Sequence, residues 1–291
     1  MKPYFSVVTP NFNCAKFIGR SYSSLLAQSD VDWEWVVVDD GSSDNSVAIF
    51  KELCAKDPRI KFHAFEKNRG RGAARSYAVQ KAIGEIVVIW DIDDLYVSTR
   101  LAVAREAFKD GADFFCSYAL VVDNSLNLKG ARHFAANSGG LLPRFVHPTL
   151  MLKRKLFEEI SYDPSARAGE DMAVMVGLEQ GSYLGNYCEK YLMLYFEDRE
   201  INIEKTITAH NSQFIFCRRY IHSMSESKPA LKKWLFRMRV KGWLLRLMSV
   251  APSIYLRTVK YRYMENVALK LISEEHVKIF KSAEALIVGR D

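Results

Sequence analysis

Residues Glu34–Asp44 read EWVVVDDGSSD, and this stretch decides how the chain folds. Trp35 and three consecutive valines make a run too short for a helix and too apolar for a half-exposed strand. It therefore reads, over Glu34–Asp39, as a strand covered on both faces. The run ends on two adjacent carboxylates, Asp39 and Asp40, and Gly41 frees the backbone to turn. Ser42–Asp44 then offer N-cap chemistry for a helix reaching about Lys56. A helix N-terminus accounts for Asp44 but not for a carboxylate doublet inside the strand end. Asp40 accordingly reads as an acceptor for a nucleobase N–H or a ribose hydroxyl.

Working outward, Tyr4–Thr9 (YFSVVT) is a second strand, followed by a helix over Ala15–Gln28 with Phe17, Ile18, Tyr22, Leu25 and Leu26 at helical spacing. Downstream, Ile60–Phe65 and Ile86–Trp90 are strands, and Gly72–Ile83 and Ser98–Phe108 are helices. Apolar strands alternating with helices imply a mostly parallel α/β sheet flanked by helices, joined by right-handed crossovers. Ligands of such sheets bind beyond the carboxyl ends of the strands. Three clusters fall there: Thr9–Asn13, Asp39–Asp44 and Asp91–Asp94.

Asp91, Asp93 and Asp94 crowd three carboxylates into four residues, which is costly unless a cation lies among them. Oxygen-only ligands suit Mg²⁺ or Mn²⁺, and such ions bridge one or two carboxylates to phosphates. Between the acidic clusters, Lys67–Gly72 (KNRGRG) opens a helix with glycines and arginines, a combination that attracts a diphosphate.

Together these residues resemble the inverting family-2 glycosyltransferases of the GT-A fold. The matching elements are SVVTPNFN (6–13), WVVVDDGSSDNS (35–46), NRGRGAARS (68–76), GEIVVIWDIDD (84–94) and GEDM (169–172), in order, within roughly residues 4–200. The resemblance implies a GT-A, Rossmann-like fold and transfer of a sugar from a nucleoside diphosphate sugar, with UDP the common case, to a hydroxyl of a glycan or lipid-linked acceptor. It implies that Pro10, Phe12 and Asp40 hold the base and ribose, and that Asn68 and Arg75 belong to the donor site. Asp91 and Asp93 resemble a DxD pair, with Asp93 the direct Mn²⁺ or Mg²⁺ ligand and Asp91 nearer the ribose or a metal-bound water, while Asp94 supports them. Asp171 resembles the catalytic base, with Glu170 beside it on the acceptor side. No QxxRW-type element follows Asp171, so the resemblance implies addition of one sugar at a time in bacterial surface-polysaccharide synthesis.

His147, in His147-Pro148-Thr149, either contacts the acceptor or is a satisfied structural histidine, and a basic helix is expected over Lys153–Ile160. Arg167 faces either acceptor or phosphate. His210 is either a third metal ligand or a surface or core residue.

The charge divides the chain. Residues 1–217 hold 25 Lys/Arg against 28 Asp/Glu, a net −3, whereas residues 218–291 hold 16 against 6, a net +10. This suggests a catalytic domain over 1–217 (nucleotide half about 1–98, acceptor half about 99–217) and a basic, amphipathic helical C-terminal region over 218–291. Within Lys228–Met248, Leu231, Trp234, Leu235, Met238 and Leu245 fall on one stripe, while Phe236, Val240, Trp243 and Leu247 mix with the cations on other faces. The region reads as packed on the catalytic domain while presenting a basic, aromatic rim over about 228–262 to an anionic membrane. Nucleic acid is not the expected partner, since no patterned aromatic platform accompanies the charge.

Composition excludes other classes. Hydrophobic residues make up 49%, enough for a real core and too many for a disordered chain. Five widely spaced cysteines without a CxxC pair argue against a disulfide framework or structural zinc. No run of 18 uncharged apolar residues occurs, and the N-terminus lacks a signal-like apolar region, so a cytoplasmic location is expected. Two rival readings remain. A nucleotidyltransferase normally carries a Gly-rich basic loop after its first strand, where this chain has TPNFNCAKF. A phospho-receiver-like module has no use for the second acidic cluster or for Glu170-Asp171.

Overall fold

The structure, a computed structural model, describes residues 2–133, 145–163, 169–197, 203–223 and 229–250. Arg167 and residues 251–291, which include the distal part of the basic region, lie outside the described residues.

The four sequence-read strands form a parallel set. β1 (Phe5–Asn11) runs alongside β2 (Trp33–Asp39) from Phe5↔Trp33 to Asn11↔Asp39. β2 pairs with β3 (Ile60–Ala64) on its outer side, and β1 pairs with β4 (Ile86–Ile89) on the other. Side chains alternate between two cores. Val7, Trp35, Val37 and Val88 face one side, packed by Ile18 and Leu25 of α1 (Ala15–Leu26) and Phe50 of α2 (Ser46–Lys56). Val8, Val36, Val38 and Val87 face the other, packed by Ala74 and Ala78 of α3 (Arg71–Lys81). A strand covered on both faces has no polar positions to spare, which explains the continuous VVV run. The buried indoles keep partners: Trp35 Nε1 donates to Thr9 Oγ1 at 2.8 Å, and Trp90 Nε1 to Ser21 Oγ at 2.9 Å.

Beyond β4 the sheet becomes mixed. After β5 (Leu95–Tyr96) and α4 (Arg100–Lys109), the long β6 (Phe114–Val122) forms a hairpin with β7 (Leu128–Arg132). β8 (Met151–Lys153) is inserted antiparallel between β4 and β6, while β9 (Gly185–Phe196) lies parallel to β6 and takes β5 antiparallel on its far side. The order is β3-β2-β1-β4-β8-β6-β9-β5, with β7 on β6. The expected parallel arrangement therefore holds among β1–β4 and gives way beyond them, where β8, β7 and β5 each run antiparallel to their neighbours.

Two local expectations are corrected. Lys153–Ile160 is not a basic helix: Lys153 ends β8 and a 3-10 turn covers Arg154–Glu158. Pairing wins there because Arg154 N donates to Glu85 O, its Nε donates to Gly84 O at 2.9 Å, and Lys153 meets Asp113 at 2.9 Å. Ser42–Asp44 do not simply cap α2, which begins at Ser46. They bind the β1 loop instead: Ser43 N donates to Asn13 Oδ1 at 2.8 Å, Asn13 N to Ser42 Oγ at 2.8 Å, and Ala15 N to Asp44 Oδ2 at 2.9 Å. Asp44 retains one capping contact, from Ser46 N at 3.0 Å.

α5 (Asp171–Gln180) continues the second core, and α6 (Ile203–Ser223) and α7 (Pro229–Ser249) form an antiparallel pair. Ile203, Ile207 and Met248 pack against the buried Leu245, and Gly242 lies directly against the His210 ring. No helix among the described residues is long and apolar enough to cross a membrane.

Candidate active site

A cleft of about 320 Å³ opens at the carboxyl ends of β1, β2 and β4. It gathers six residues singled out in the sequence: Pro10, Phe12, Asp40, Asn68, Asp91 and Asp93. Phe12 is 46% exposed at the rim, presenting an aromatic face to whatever enters.

The two carboxylates of the doublet divide their work. Asp39, fully buried, builds the loop: it accepts from Asn11 Nδ2 at 2.7 Å, Ser42 N at 2.8 Å and Ser42 Oγ at 2.6 Å. Asp40 lines the cleft, yet both its oxygens are engaged, by Arg69 N at 2.7 Å and Gly70 N at 2.9 Å. Each oxygen has a second lone pair for a ligand, so Asp40 can shape the basic turn and face the cleft together. Burial pushes its carboxyl upward, partly offset by those two N–H groups. Gly41 (φ +76°) is required here, since a Cβ would come within 2.7 Å of Asn68 N and of the Lys67 carbonyl carbon.

The acidic loop is braced from behind. Asp91 N donates to Tyr96 Oη at 2.8 Å, and Tyr96 packs on Trp90 with ring centroids 3.8 Å apart. The buried Arg100 lies 4.3 Å from the Tyr96 ring and donates to Pro148 O at 2.8 Å. Arg20 donates to the Asp93 carbonyl while stacking 4.0 Å over Phe196. Asp94 Oδ1 accepts from Phe196 N at 2.9 Å, and burial together with the charges of Asp93 and Asp91 raises its carboxyl far above the ordinary range. Asp94 thus ties the acidic loop to the end of β9.

Arg75 does not line the cleft; it lies buried behind it. Its Nη2 reaches Asp91 Oδ1 at 2.5 Å and its Nη1 donates to Glu170 Oε1. Arg71 joins Glu170 from the cleft side, with Nε 2.5 Å from Oε1. Gly72 allows this approach, because a Cβ there would meet Asp163 O at 2.5 Å and Glu170 Cβ at 3.1 Å. Burial opposes ionisation of Asp91 and Glu170, but Arg75 and Arg71 outweigh it and hold both carboxyls below the usual range. Asp171, the first residue of α5, has the opposite balance. Burial and then the negative charge of Glu170 raise its carboxyl.

His147 is buried, with Nε2 3.0 Å from Tyr162 Oη. Burial, then the nearby Arg75, lower its pKa to about 3, so the imidazole is neutral at physiological pH. This environment favours the structural alternative over direct acceptor contact.

Asp91 and Asp93 supply the oxygen donors that a Mg²⁺ or Mn²⁺ ion takes. No group of three or more His, Cys, Asp and Glu converges as a complete cage among the described residues. The donor set fits an ion held by one or two carboxylates and completed by phosphate oxygens and water. His210 does not complete it: its Nε2 donates to Met238 O at 2.9 Å in the α6–α7 contact.

Sequence reasoning did not single out Arg71, Arg20, Arg100 or Tyr162 individually. Arg71 lay within the basic KNRGRG turn, and its position at the start of a helix beside the cleft was the available signal. The other three act through packing that no spacing announces.

Residues 6–171 match the model of the family described as Glycosyl transferase family 2. The chain belongs to that family. Among curated relatives, the Escherichia coli UDP-Glc:alpha-D-GlcNAc-diphosphoundecaprenol beta-1,3-glucosyltransferase WfgD is 28% identical over 153 residues, 53% of this chain and 54% of that protein. An uncharacterized glycosyltransferase of Rickettsia conorii is 29% identical over 191 residues, 62% of this chain but 31% of its own, so the chain spans about a third of that relative's length. Among solved structures, S. aureus TarS 1–349 in complex with UDP aligns with TM-score 0.57 and 22% identity over 75% of this chain and 65% of that one. The Pyrobaculum calidifontis mannosyltransferase PcManGT, in complex with GDP-Man and Mn²⁺, aligns with TM-score 0.59 and 16% identity over 99% of this chain and 86% of that one. These neighbours are GT-A glycosyltransferases, and the family-2 enzyme described here shares that fold.

Proposed function

We propose that this family-2 glycosyltransferase transfers one sugar from a UDP-sugar to a hydroxyl of a glycan or lipid-linked acceptor, with inversion and with Mn²⁺ or Mg²⁺. The observation that carries the reading is the single guanidinium of Arg75, which ties Asp91 in the cleft wall to Glu170 beside Asp171. Donor cleft and base thereby share one ionic frame.

In this reading, Pro10, Phe12 and Asp40 receive the base and ribose, and Asn68 with the Arg69–Arg71 turn guides the diphosphate. Asp93, with Asp91, would hold the metal, which when bound stabilises negative charge developing on the departing diphosphate. Asp171 accepts the proton of the incoming hydroxyl as its oxygen attacks the anomeric carbon and the bond to the diphosphate breaks. Glu170 is neutralised by two arginines, leaving Asp171 as the raised-pKa member of the pair and the better proton acceptor. One base and one leaving group on opposite faces give inversion in a single displacement.

The E. coli relative, which acts on a diphosphoundecaprenol-linked sugar, supports a lipid-linked acceptor, and TarS, solved with UDP, supports the nucleotide. We assign catalysis to about residues 1–217, with the acceptor half at about 99–217, and membrane contact to the basic helical region 218–291. Ten Lys/Arg and no Asp/Glu between residues 228 and 262 support contact of that region with an anionic membrane surface.

A panel of UDP-, GDP- and dTDP-sugars, scored for donor hydrolysis with and without Mn²⁺ or Mg²⁺, tests the reading. Metal-dependent turnover of a UDP-sugar is expected. Silence toward every nucleoside diphosphate sugar, with turnover of a nucleoside triphosphate, would replace it with the nucleotidyltransferase reading.

A further inference from the structure

Among the described residues, no element covers one face of the α6–α7 pair. On α7, Phe236 (67% exposed), Val240, Trp243 (63%) and Leu247 (51%) point outward, and Val250 continues the line just past the helix end. At about 100° per residue the four helical positions fall within an arc of about 60°. The buried Met238 and Leu245, with Gly242 against His210, occupy the opposite side. Packing has therefore consumed one apolar stripe and left another in the open, the one that the sequence pattern had mixed with the charges.

Exposed cations flank the open stripe on both edges, Arg239 and Arg246 on one side and Arg237 and Lys241 on the other. From Pro229 to Val250 there is no acidic residue. A narrow apolar band with a central indole and flanking cations is the pattern of a helix lying in the plane of an anionic bilayer interface, its long basic side chains reaching the headgroups. A second copy fits poorly, because face-to-face pairing would set arginines against arginines. A nucleic acid fits poorly because Val240 and Leu247 interrupt the two aromatic rings, which leaves no continuous stacking platform for bases.

We propose that α7 docks on an anionic lipid surface through Phe236, Val240, Trp243 and Leu247, with Arg237, Arg239 and Arg246 engaging lipid phosphates. The inference rests on the membrane contact proposed above and names the face that makes it; α6 and α7 then couple that surface to the catalytic unit.

The test uses the full chain with phosphatidylcholine vesicles, with and without phosphatidylglycerol. Sedimentation with the anionic vesicles alone is expected, together with quenching by brominated acyl chains that is reduced in Trp243→Phe. Phe236→Ser combined with Trp243→Ser is expected to weaken vesicle partitioning by about tenfold or more. Replacing Arg237, Arg239 and Arg246 by Gln is expected to weaken it by roughly fivefold per cation at low salt. Absence of binding to anionic vesicles, or binding unchanged by the Ser substitutions, overturns the proposal. So does a salt-stable dimer that those substitutions dissolve, which would make a second copy the occupant. Metal-dependent UDP-sugar hydrolysis without vesicles is expected at the parent level in every variant; its loss from the parent protein would sink the catalytic reading while leaving the vesicle result to stand by itself.

Discussion

Arg75 and Glu170, 95 residues apart in sequence, form a buried ion pair, and the same guanidinium holds Asp91 of the acidic loop. Two carboxylates, one in the loop after β4 and one at the start of α5, are thereby kept charged in a place where burial opposes their ionisation.

That arrangement makes Arg75 the most consequential side chain outside the cleft. Arg75→Met is expected to cost about 3–5 kcal/mol in stability, because Asp91 loses its partner and the buried Glu170 keeps only Arg71. Urea unfolding at neutral pH measures it. Arg75→Lys is expected to recover only part of the loss, since a point charge cannot bridge Asp91 and Glu170 as a fork does. A stability unchanged in Arg75→Met would mean that the network is not formed in solution.

Asp171→Asn separates binding from chemistry. UDP affinity, measured by calorimetry, is expected to stay at the parent value while transfer slows by about 10²–10⁴-fold. Loss of UDP binding instead would move Asp171 into the donor site.

The raised carboxyl of Asp171 sets the acid side of the pH profile. As pH falls through this raised value the base becomes protonated, so the acidic limb of kcat/KM is expected to lie above the position that an ordinary aspartate would give. His147, with its pKa at about 3, stays neutral throughout and contributes no limb. His147→Gln is therefore expected to leave the shape of the profile between about pH 5 and 8, the range in which histidine normally titrates, unchanged. A limb that disappears in His147→Gln would overturn the assignment.

Asp93→Ala is expected to abolish metal-stimulated donor hydrolysis, and chelation of the parent protein is expected to reproduce that loss until Mn²⁺ or Mg²⁺ is restored. Full stimulation in Asp93→Ala would remove Asp93 from the metal site.

Gly41→Ala tests the turn that joins the two donor loops. A positive φ and an approach of 2.7 Å to the Lys67–Asn68 backbone leave no room for a methyl group. A loss of about 1–3 kcal/mol is expected, read from thermal unfolding, with weakened UDP binding because the Asn68–Gly70 turn must shift.

Much of this was legible before any coordinates. The VVV run, the carboxylate doublet and the acidic loop are local features, and each strand end carries its cluster to the same rim of the sheet. Six of the named residues meet in one cleft for that reason. His210 stayed open between a metal ligand and a surface or core residue because a histidine's partner lies in space, here the Met238 carbonyl on another helix. The basic helix expected at Lys153–Ile160 failed because strand pairing with β4 overrode local propensity.

The amino-acid order by itself settled the parallel half of the sheet and the residue types at its rim, since both follow from periodicity and from where apolar runs stop. Only the folded chain decided that Arg75 reaches Asp91 and Glu170 together, that Asp39 builds the loop while Asp40 lines the cleft, and which stripe of α7 is left in the open. Those outcomes depend on contacts between distant segments, and no local pattern encodes the distance between two side chains that meet only after the sheet has formed.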